Sequence, residues 1–474
     1  MSDYIVTIGL EVHCELKTES KLFCSCVNKF GGEPNTHTCP ICAGHPGVLP
    51  VLNKKAVEYT VKAGCAIGSK ISKFSKWDRK NYFYPDLPKA WQTSQFDLPL
   101  CVGGEVRFDV NSEEKVVRLN RIHLEEDAGK LVHGAGGTAV DYNRCGVPLI
   151  ECVTEPDMHS ADEAVAFLEE LASILRYSGV SDCRMQEGSI RADVNLSLAK
   201  AGEPLGTRTE TKNLNSFRSV RRAIEAEIVR QTQVLESGGK VVQETRHFDD
   251  ASGTGYGMRS KEDAQDYRYF PEPDLMPVVM TDEQIEAIRA TLPEMKRERR
   301  RRYTESLGLS DYDASLLTAD PEVADLFDGA VKLGANAKKT ANYVMSEIMR
   351  KGKTEGEDGI TVGVTSAQLA ELLTLVEKGE INLVASKDVL DKIWLSDMTP
   401  TAAVEQLGLR QNNDADEIEK LVRDIIAKNP GPADDFRRGN DKVMSFFVGQ
   451  LMKATKGKTN PKIAGELVRK LLSE

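Results

Sequence analysis

Residues 8–16 alternate without exception: Leu10, Val12, Cys14 and Leu16 are interleaved with Glu11, His13 and Glu15. A period of two is that of a strand with one face in a core and the other polar. The pattern returns at 190–198, where Ile190, Ala192, Val194, Leu196 and Leu198 oppose Arg191, Asp193, Asn195 and Ser197, and at 207–212, where Arg208, Glu210 and Lys212 share a face. Half-buried strands with charged faces belong to antiparallel sheets.

Helical periods interrupt the strands. Ser160-Ala161-Asp162-Glu163 has the form of a capping box, with Val165, Leu168, Leu171, Ala172 and Leu175 following at helical spacing up to Gly179. A second helix is expected over about 216–236, ending at Gly238-Gly239. The rigid, proline-rich stretch 267–277 and the basic run Lys296, Arg297 and Arg299 to Arg302 mark a boundary near 293, beyond which the pattern is helical. Ser366 reads as an N-cap for a Leu369, Leu372, Leu373, Val376 stripe, and Ile418, Leu421, Val422, Ile425 and Ile426 form another. At 474 residues the chain has room for about three domains. The division expected is 1–293, 294–405 and 406–474.

Composition narrows the class. The chain carries a net charge of −11, yet residues 437–474 hold nine Lys/Arg against three Asp/Glu. An acidic body with a basic end suits RNA contact at that end and metal binding elsewhere, although a basic tail can also be a solvated helix face. No run approaches about 18 apolar residues, so no transmembrane helix is expected. The first residues lack the features of a secretory or transit leader. Ten cysteines in a chain of this length are expected to be reduced, in a cytoplasmic compartment.

Four of those cysteines form the sharpest local signal. Cys24-Ser25-Cys26 and Cys39-Pro40-Ile41-Cys42 are two thiolate pairs separated by a loop, a spacing that wraps one tetrahedral structural zinc. The bland alternative is four free buried thiols, and His37 or His45 is close enough in sequence to replace one ligand. A second, diffuse signal lies on the polar strand faces: Glu11 and His13; His123, Glu125 and Glu126; Glu151; Asp193; Glu210. One such residue is an ordinary edge charge, but five acidic segments on one sheet repel each other unless cations fill the space. Of Glu125 and Glu126, alternation turns only one toward such a site, and the sequence does not say which.

In 78–89, Arg79 and Lys80 can hold phosphate oxygens and Tyr82 can stack on a base; an aromatic-anchored surface loop is the plain alternative. Arg191, Arg208 and Lys212 either neutralise phosphate or pair with Asp193 and Glu210. Gly134 to Ala139 imitates a dinucleotide fingerprint, but no helix pattern follows, so a hairpin is expected. Gly457-Lys458-Thr459 lacks the first glycine of a phosphate-binding loop. Nothing resembles a glutamine-hydrolysing element.

These segments together resemble the B subunits of the aspartyl/glutamyl-tRNA(Asn/Gln) amidotransferases. The resemblance is carried by IGLEVHCELKT at 8–18, DRKNYFYPDLPK at 78–89, HLEEDAGK at 123–130, GVPLIECVTEPD at 146–157, EGSIRADVN at 187–195, TETKNLNSFR at 209–218, DYRYFPEPDL at 266–275 and VGQLMKATKGKTNPK at 448–462. An archaeal-type paralogue family carries a synthetase-like insertion, for which the run from Pro277 to Arg302 leaves no room.

The resemblance implies an α+β chain. An antiparallel-sheet cradle similar to glutamine synthetase and guanido kinases would hold the zinc knuckle at 24–42, followed by an all-α domain and a small all-α, tRNA-binding tail. It implies a carbon–nitrogen ligase with glutamine as amide donor, which uses ATP to phosphorylate the side-chain carboxylate of Glu-tRNA(Gln) or Asp-tRNA(Asn). Ammonia from a partner amidase, the A subunit, then displaces phosphate, and a small C subunit completes a heterotrimer. On this reading Glu11, His13, Glu151 and either Glu125 or Glu126, with Glu126 as the metal ligand, form the Mg²⁺ set. Asp193 and Glu210 hold a second metal or position ammonia. Arg79, Lys80, Arg191 and Lys212 hold phosphates, and Tyr82 joins them at the nucleotide. Lys453, Lys456, Lys458 and Lys462 contact tRNA phosphates. Zn²⁺ supports the fold only, since some family members lack the four cysteines. The alternatives are a free-standing ligase that needs no tRNA and a non-catalytic, zinc-bearing tRNA-binding or assembly subunit.

Overall fold

The structure is a computed structural model that describes residues 4–134, 136–212, 214, 216–260, 266–353, 359–411, 415–455, 459 and 461–473. It divides into two compact units, Met1–Lys296 and Arg297–Glu474.

The first unit is built on a ten-stranded sheet. From one edge its order is Thr254–Ser260, Glu244–Asp249, Thr209–Lys212, Ile190–Lys200, Tyr4–Glu15, Pro148–Thr154, Glu113–Glu126, Cys101–Val102 and Lys70–Ile71, with Glu105–Val110 also paired to Glu113–Glu126. The pairing is antiparallel except where Thr209–Lys212 meets Glu244–Asp249 in parallel, which corrects the all-antiparallel expectation. A parallel neighbour requires a crossover, and the helix Phe217–Glu236 supplies it.

Strand alternation decides what lies on each face. Leu10, Val12 and Cys14 of the N-terminal strand share one face with Ala192, Val194, Ile150, Cys152, Ile122 and Leu124, all at most 2% exposed. The helices Lys54–Ile67, Ala161–Tyr177 and Phe217–Glu236 cover this face through Val57, Val61, Leu168, Leu171, Val220 and Ile224. The opposite face keeps its polar side chains. At its far end a three-stranded sheet, Phe270–Pro271 with Asp78–Asn81 and Trp91–Ser94, adds a second wall.

Local signals acted much as expected. Ser160 and Ser216 are N-caps, accepting from the backbone N–H groups of Glu163 and Ser219. The return arm of the Ser160 box differs, because Glu163 accepts from the N–H of His159, one residue further back. The N-cap of Ser366–Glu377 is Thr365, in a full capping box with Gln368, so Ser366 is the first helical residue. The glycine-rich stretch at 134–139 lies in the antiparallel pair Lys130–Gly134 and Gly137–Asp141.

The described part of the second unit is helical. Its residues form two apolar clusters, one from Tyr303 to Val404 and one from Ile418 to Leu472.

Leu10 is fully buried where the helices meet the sheet. Leu10→Ala should cost about 2–5 kcal/mol through lost burial and an unfilled cavity, measured as a lower midpoint in urea unfolding of the full chain.

Candidate functional site

In an antiparallel pair, residues opposite one another place their side chains on the same face. Glu11 lies opposite Asp193, His13 opposite both Arg191 and Glu151, and Glu151 opposite His123. Asn195 lies opposite Glu210 on the next strand outward. Strand pairing thereby brings side chains from five sequence segments onto the uncovered face.

They gather into two groups. In the first, His13, Glu125 and Glu151 present one ligand atom each, all within 4.8 Å of one another. His13 Nε2 is 3.5 Å from Glu151 and 3.9 Å from Glu125. His123, which sequence reasoning noted but gave no role, stands behind them with Nε2 3.3 Å from Glu151 and 3.6 Å from Glu125. Its alternation with Glu125 was the signal available. Ser94 Oγ donates to Glu125 at 3.0 Å. Burial opposes ionisation of Glu151, but the charges and hydrogen bonds of His123 and His13 outweigh it and hold the carboxyl well below its ordinary value. Burial likewise opposes protonation of His123, yet Glu151 and Glu125 push it up to about 9.

In the second group, Glu11, Asp193 and Glu210 meet within the same 4.8 Å limit. Lys212 bridges two of them, 2.5 Å from Asp193 and 2.9 Å from Glu210. Asn195 Nδ2 donates to Glu11 at 3.0 Å. Burial, then Glu151 and Glu210, raise the Glu11 carboxyl, and Lys212 offsets only part of this. Both groups offer oxygen-rich ligand sets suited to hard divalent cations.

Several expectations are corrected. Glu125, not Glu126, faces His13 and Glu151. Glu126 accepts instead from the Lys89 ammonium and from the N–H of Thr93 at 2.9 Å. Glu11 joins Asp193 and Glu210 rather than the histidine group, because the register sets it against Asp193. Arg79 has a partner the sequence reading did not offer: it holds Glu272 with two hydrogen bonds of 2.7 Å and lies 3.9 Å over the Trp91 ring. Arg191 is paired, but with Asp127 at 2.7 Å, a partner the sequence reading missed.

Lys80 lies within electrostatic reach of Glu125 and Glu151. Burial opposes its charge, but Glu125 leads the neighbours that keep its ammonium protonated. It sits 5.0 Å over Tyr267 and 5.7 Å over Tyr82, and the Tyr82 hydroxyl is 3.3 Å from Gln92 Oε1. Lys453 is exposed at the end of the helix Met444–Ala454. Lys456, Lys458 and the side chain of Lys462 lie outside the described residues.

Away from the carboxylates, the sulfurs of Cys24, Cys26, Cys39 and Cys42 converge within 4.8 Å, and neither His37 nor His45 joins the group. The Cys24 thiol, then the Cys39 N–H and Lys21, draw Cys42 down to about 4. Four sulfurs with one favoured as thiolate fit a structural zinc.

Comparison with known proteins matches residues 6–286 to the family described as GatB/GatE catalytic domain and residues 325–472 to that described as GatB domain. Curated relatives named as the B subunit of aspartyl/glutamyl-tRNA(Asn/Gln) amidotransferase include one from Caldicellulosiruptor saccharolyticus, 52% identical over the whole of both chains. A second, from Thermoanaerobacter pseudethanolicus, is 51% identical over 99% of this chain and all of its own. A third, from Geobacter sulfurreducens, is 51% identical over 99% of each. Among the described residues no helix is long and apolar enough to cross a membrane.

Cys39→Ser should remove zinc from the purified chain, read by elemental analysis, and lower its melting temperature, because metal binding and local folding are coupled. Cys65→Ser, outside the cluster, should leave zinc content unchanged.

Proposed function

Because the chain belongs to the family of aspartyl/glutamyl-tRNA(Asn/Gln) amidotransferase B subunits, we propose that its first unit is the kinase and transamidase of tRNA-dependent amide synthesis. The substrates are Glu-tRNA(Gln), Asp-tRNA(Asn) or both. A carboxylate does not yield to ammonia directly, since oxide would have to leave; phosphorylation by ATP supplies a phosphate leaving group. The acyl phosphate is then attacked by ammonia, giving the amide and inorganic phosphate.

The observation that supports this reading is the convergence of two carboxylate groups on one uncovered sheet face, with Lys80 at the first and Lys212 at the second. Two anions must be joined, and their repulsion is the main barrier to phosphoryl transfer. His13, Glu125 and Glu151 would hold one Mg²⁺ and Glu11, Asp193 and Glu210 a second; when bound, these ions neutralise phosphate charge. His123 fixes Glu151 and Glu125 from behind. Lys80 and Lys212 add cationic charge where the phosphates arrive, and Tyr82 and Tyr267 shield Lys80 from water. Rigid strands keep the donors in place, so little reorganisation accompanies the reaction.

The sheet, with helices on one face and acidic side chains on the other, is read as a cradle of the glutamine synthetase and guanido kinase type. Zn²⁺ at the four cysteines stiffens a loop of this unit. We assign 294–405 as a helical domain and 406–474 as the tRNA-binding tail, with Lys453 among its phosphate contacts. Ammonia comes from a glutamine-hydrolysing A subunit, in a heterotrimer completed by a small C subunit. The setting is cytoplasmic.

The test uses the assembled complex. Glu151→Gln should lower Mg²⁺- and tRNA-dependent ATP hydrolysis at least about 100-fold. It should also abolish amidated tRNA whether glutamine or ammonium is the nitrogen source. Retained glutaminase activity would show that the partners remain intact. An unchanged ATPase rate would refute the kinase role in favour of a non-catalytic tRNA-binding subunit.

A further inference from the structure

Outside the zinc quartet, the sulfurs of Cys14 and Cys183 touch. They lie 3.7 Å apart, although the two residues are separated by 169 positions in the chain. Both are free thiols. Cys14 is fully buried on the core face of the N-terminal strand, between Ile150 and Ile190 of the neighbouring strands. Cys183 is 8% exposed, in the turn that joins the helix Ala161–Tyr177 to the strand Ile190–Lys200.

The backbone brings Cys183 to this contact under strain. Its φ is +52°, in the left-handed region that a residue with a Cβ disfavours. Glycine would relieve that strain, and in packing alone a thiol is only a small apolar group. The turn is nevertheless held firmly. The Cys183 N–H donates to Ser181 Oγ at 3.2 Å, the Arg184 N–H donates to Ser189 Oγ at 2.6 Å, and Ser189 Oγ donates to Asp182 at 2.8 Å. The strand beyond Cys14 is tied to the same turn: the N–H of Glu15 donates to the Ser189 carbonyl and that of Lys17 to the Val180 carbonyl, both at 2.8 Å. Strand and turn are fixed against each other, and a strained residue kept in place by its surroundings points to a local role.

That role is one only sulfur can fill. The sulfurs of a disulfide are about 2.05 Å apart, so the pair must close by about 1.6 Å, a movement on the scale of side-chain rotation. We infer that Cys14 and Cys183 form a reversible thiol–disulfide site, oxidised by hydrogen peroxide and reset by a dithiol reductant. Cys183, the more exposed of the two, reacts first. Its sulfur takes one peroxide oxygen as the O–O bond breaks, and the thiol proton leaves with the released hydroxide as water. The Cys14 sulfur then displaces hydroxide from the sulfenic acid on Cys183. An S–S bond forms, an S–O bond breaks, and the Cys14 proton departs in a second water. The two thiols lose two electrons together, and one peroxide becomes two waters. A dithiol returns both hydrogens and becomes a disulfide itself. In a reducing compartment the pair rests as thiols. The bond would fasten the strand that carries Glu11 and His13 to the 180–189 turn. The site does not depend on the kinase reading.

The test exposes the assembled complex to hydrogen peroxide, unfolds it in the presence of a thiol-alkylating agent, and maps its peptides by mass spectrometry. A linked Cys14–Cys183 peptide pair, lighter by two hydrogens than the separate thiols, is expected. Alkylation of both residues should fall at least about tenfold and return after treatment with dithiothreitol before alkylation. Cys183→Ser and Cys14→Ala should each leave the other member of the pair open to alkylation. Cys152→Ser, which removes another buried thiol of the same core, should leave the Cys14–Cys183 bond intact. Full alkylation of both residues in the peroxide-treated parent overturns the site, as does a bond from either residue to Cys152 or to the zinc quartet. The parent chain carries the decisive measurement, so a folding defect in a variant does not decide the outcome.

Discussion

Mutual repulsion among carboxylates fixed on one sheet face governs the first unit. Glu11, Glu125, Glu151, Asp193 and Glu210 are held by backbone pairing, which does not yield to their repulsion. The helices on the opposite face bury enough apolar surface to keep the strands in this register. Two histidines and two lysines relieve part of the charge. What remains is an oxygen-rich surface of the kind hard divalent cations favour.

The two groups are chemically unlike, which gives the face a direction. One mixes imidazole with two carboxylates, is more deeply buried, and lies toward the wall carrying Lys80 and Tyr82. The other is all carboxylate and is bridged by Lys212. The same strand therefore provides the core seam on its inner face and a member of each group, Glu11 and His13, on its outer face.

Much of this was legible because a strand writes its two faces as alternate letters. The polar set, the cysteine quartet and the helices starting at Ser160 and after Ser216 each rest on local spacing. The choice between Glu125 and Glu126 was not legible, since neighbouring acids on one strand differ only in which way the pleat turns them. The fate of Arg79 and Arg191 was hidden for another reason: their partners, Glu272 and Asp127, are 193 and 64 residues away in sequence. The role of His123 was within reach, two residues before Glu125 on the same face.

By itself, then, the sequence determined which side chains are polar, which strands carry them and which four sulfurs share a loop, because hydrophobic period and ligand spacing are local properties. Only the tertiary structure decided which acids meet and which cations are held in ion pairs. Those outcomes depend on strand order and register, and the chain sets these by burying one whole face of the sheet at once.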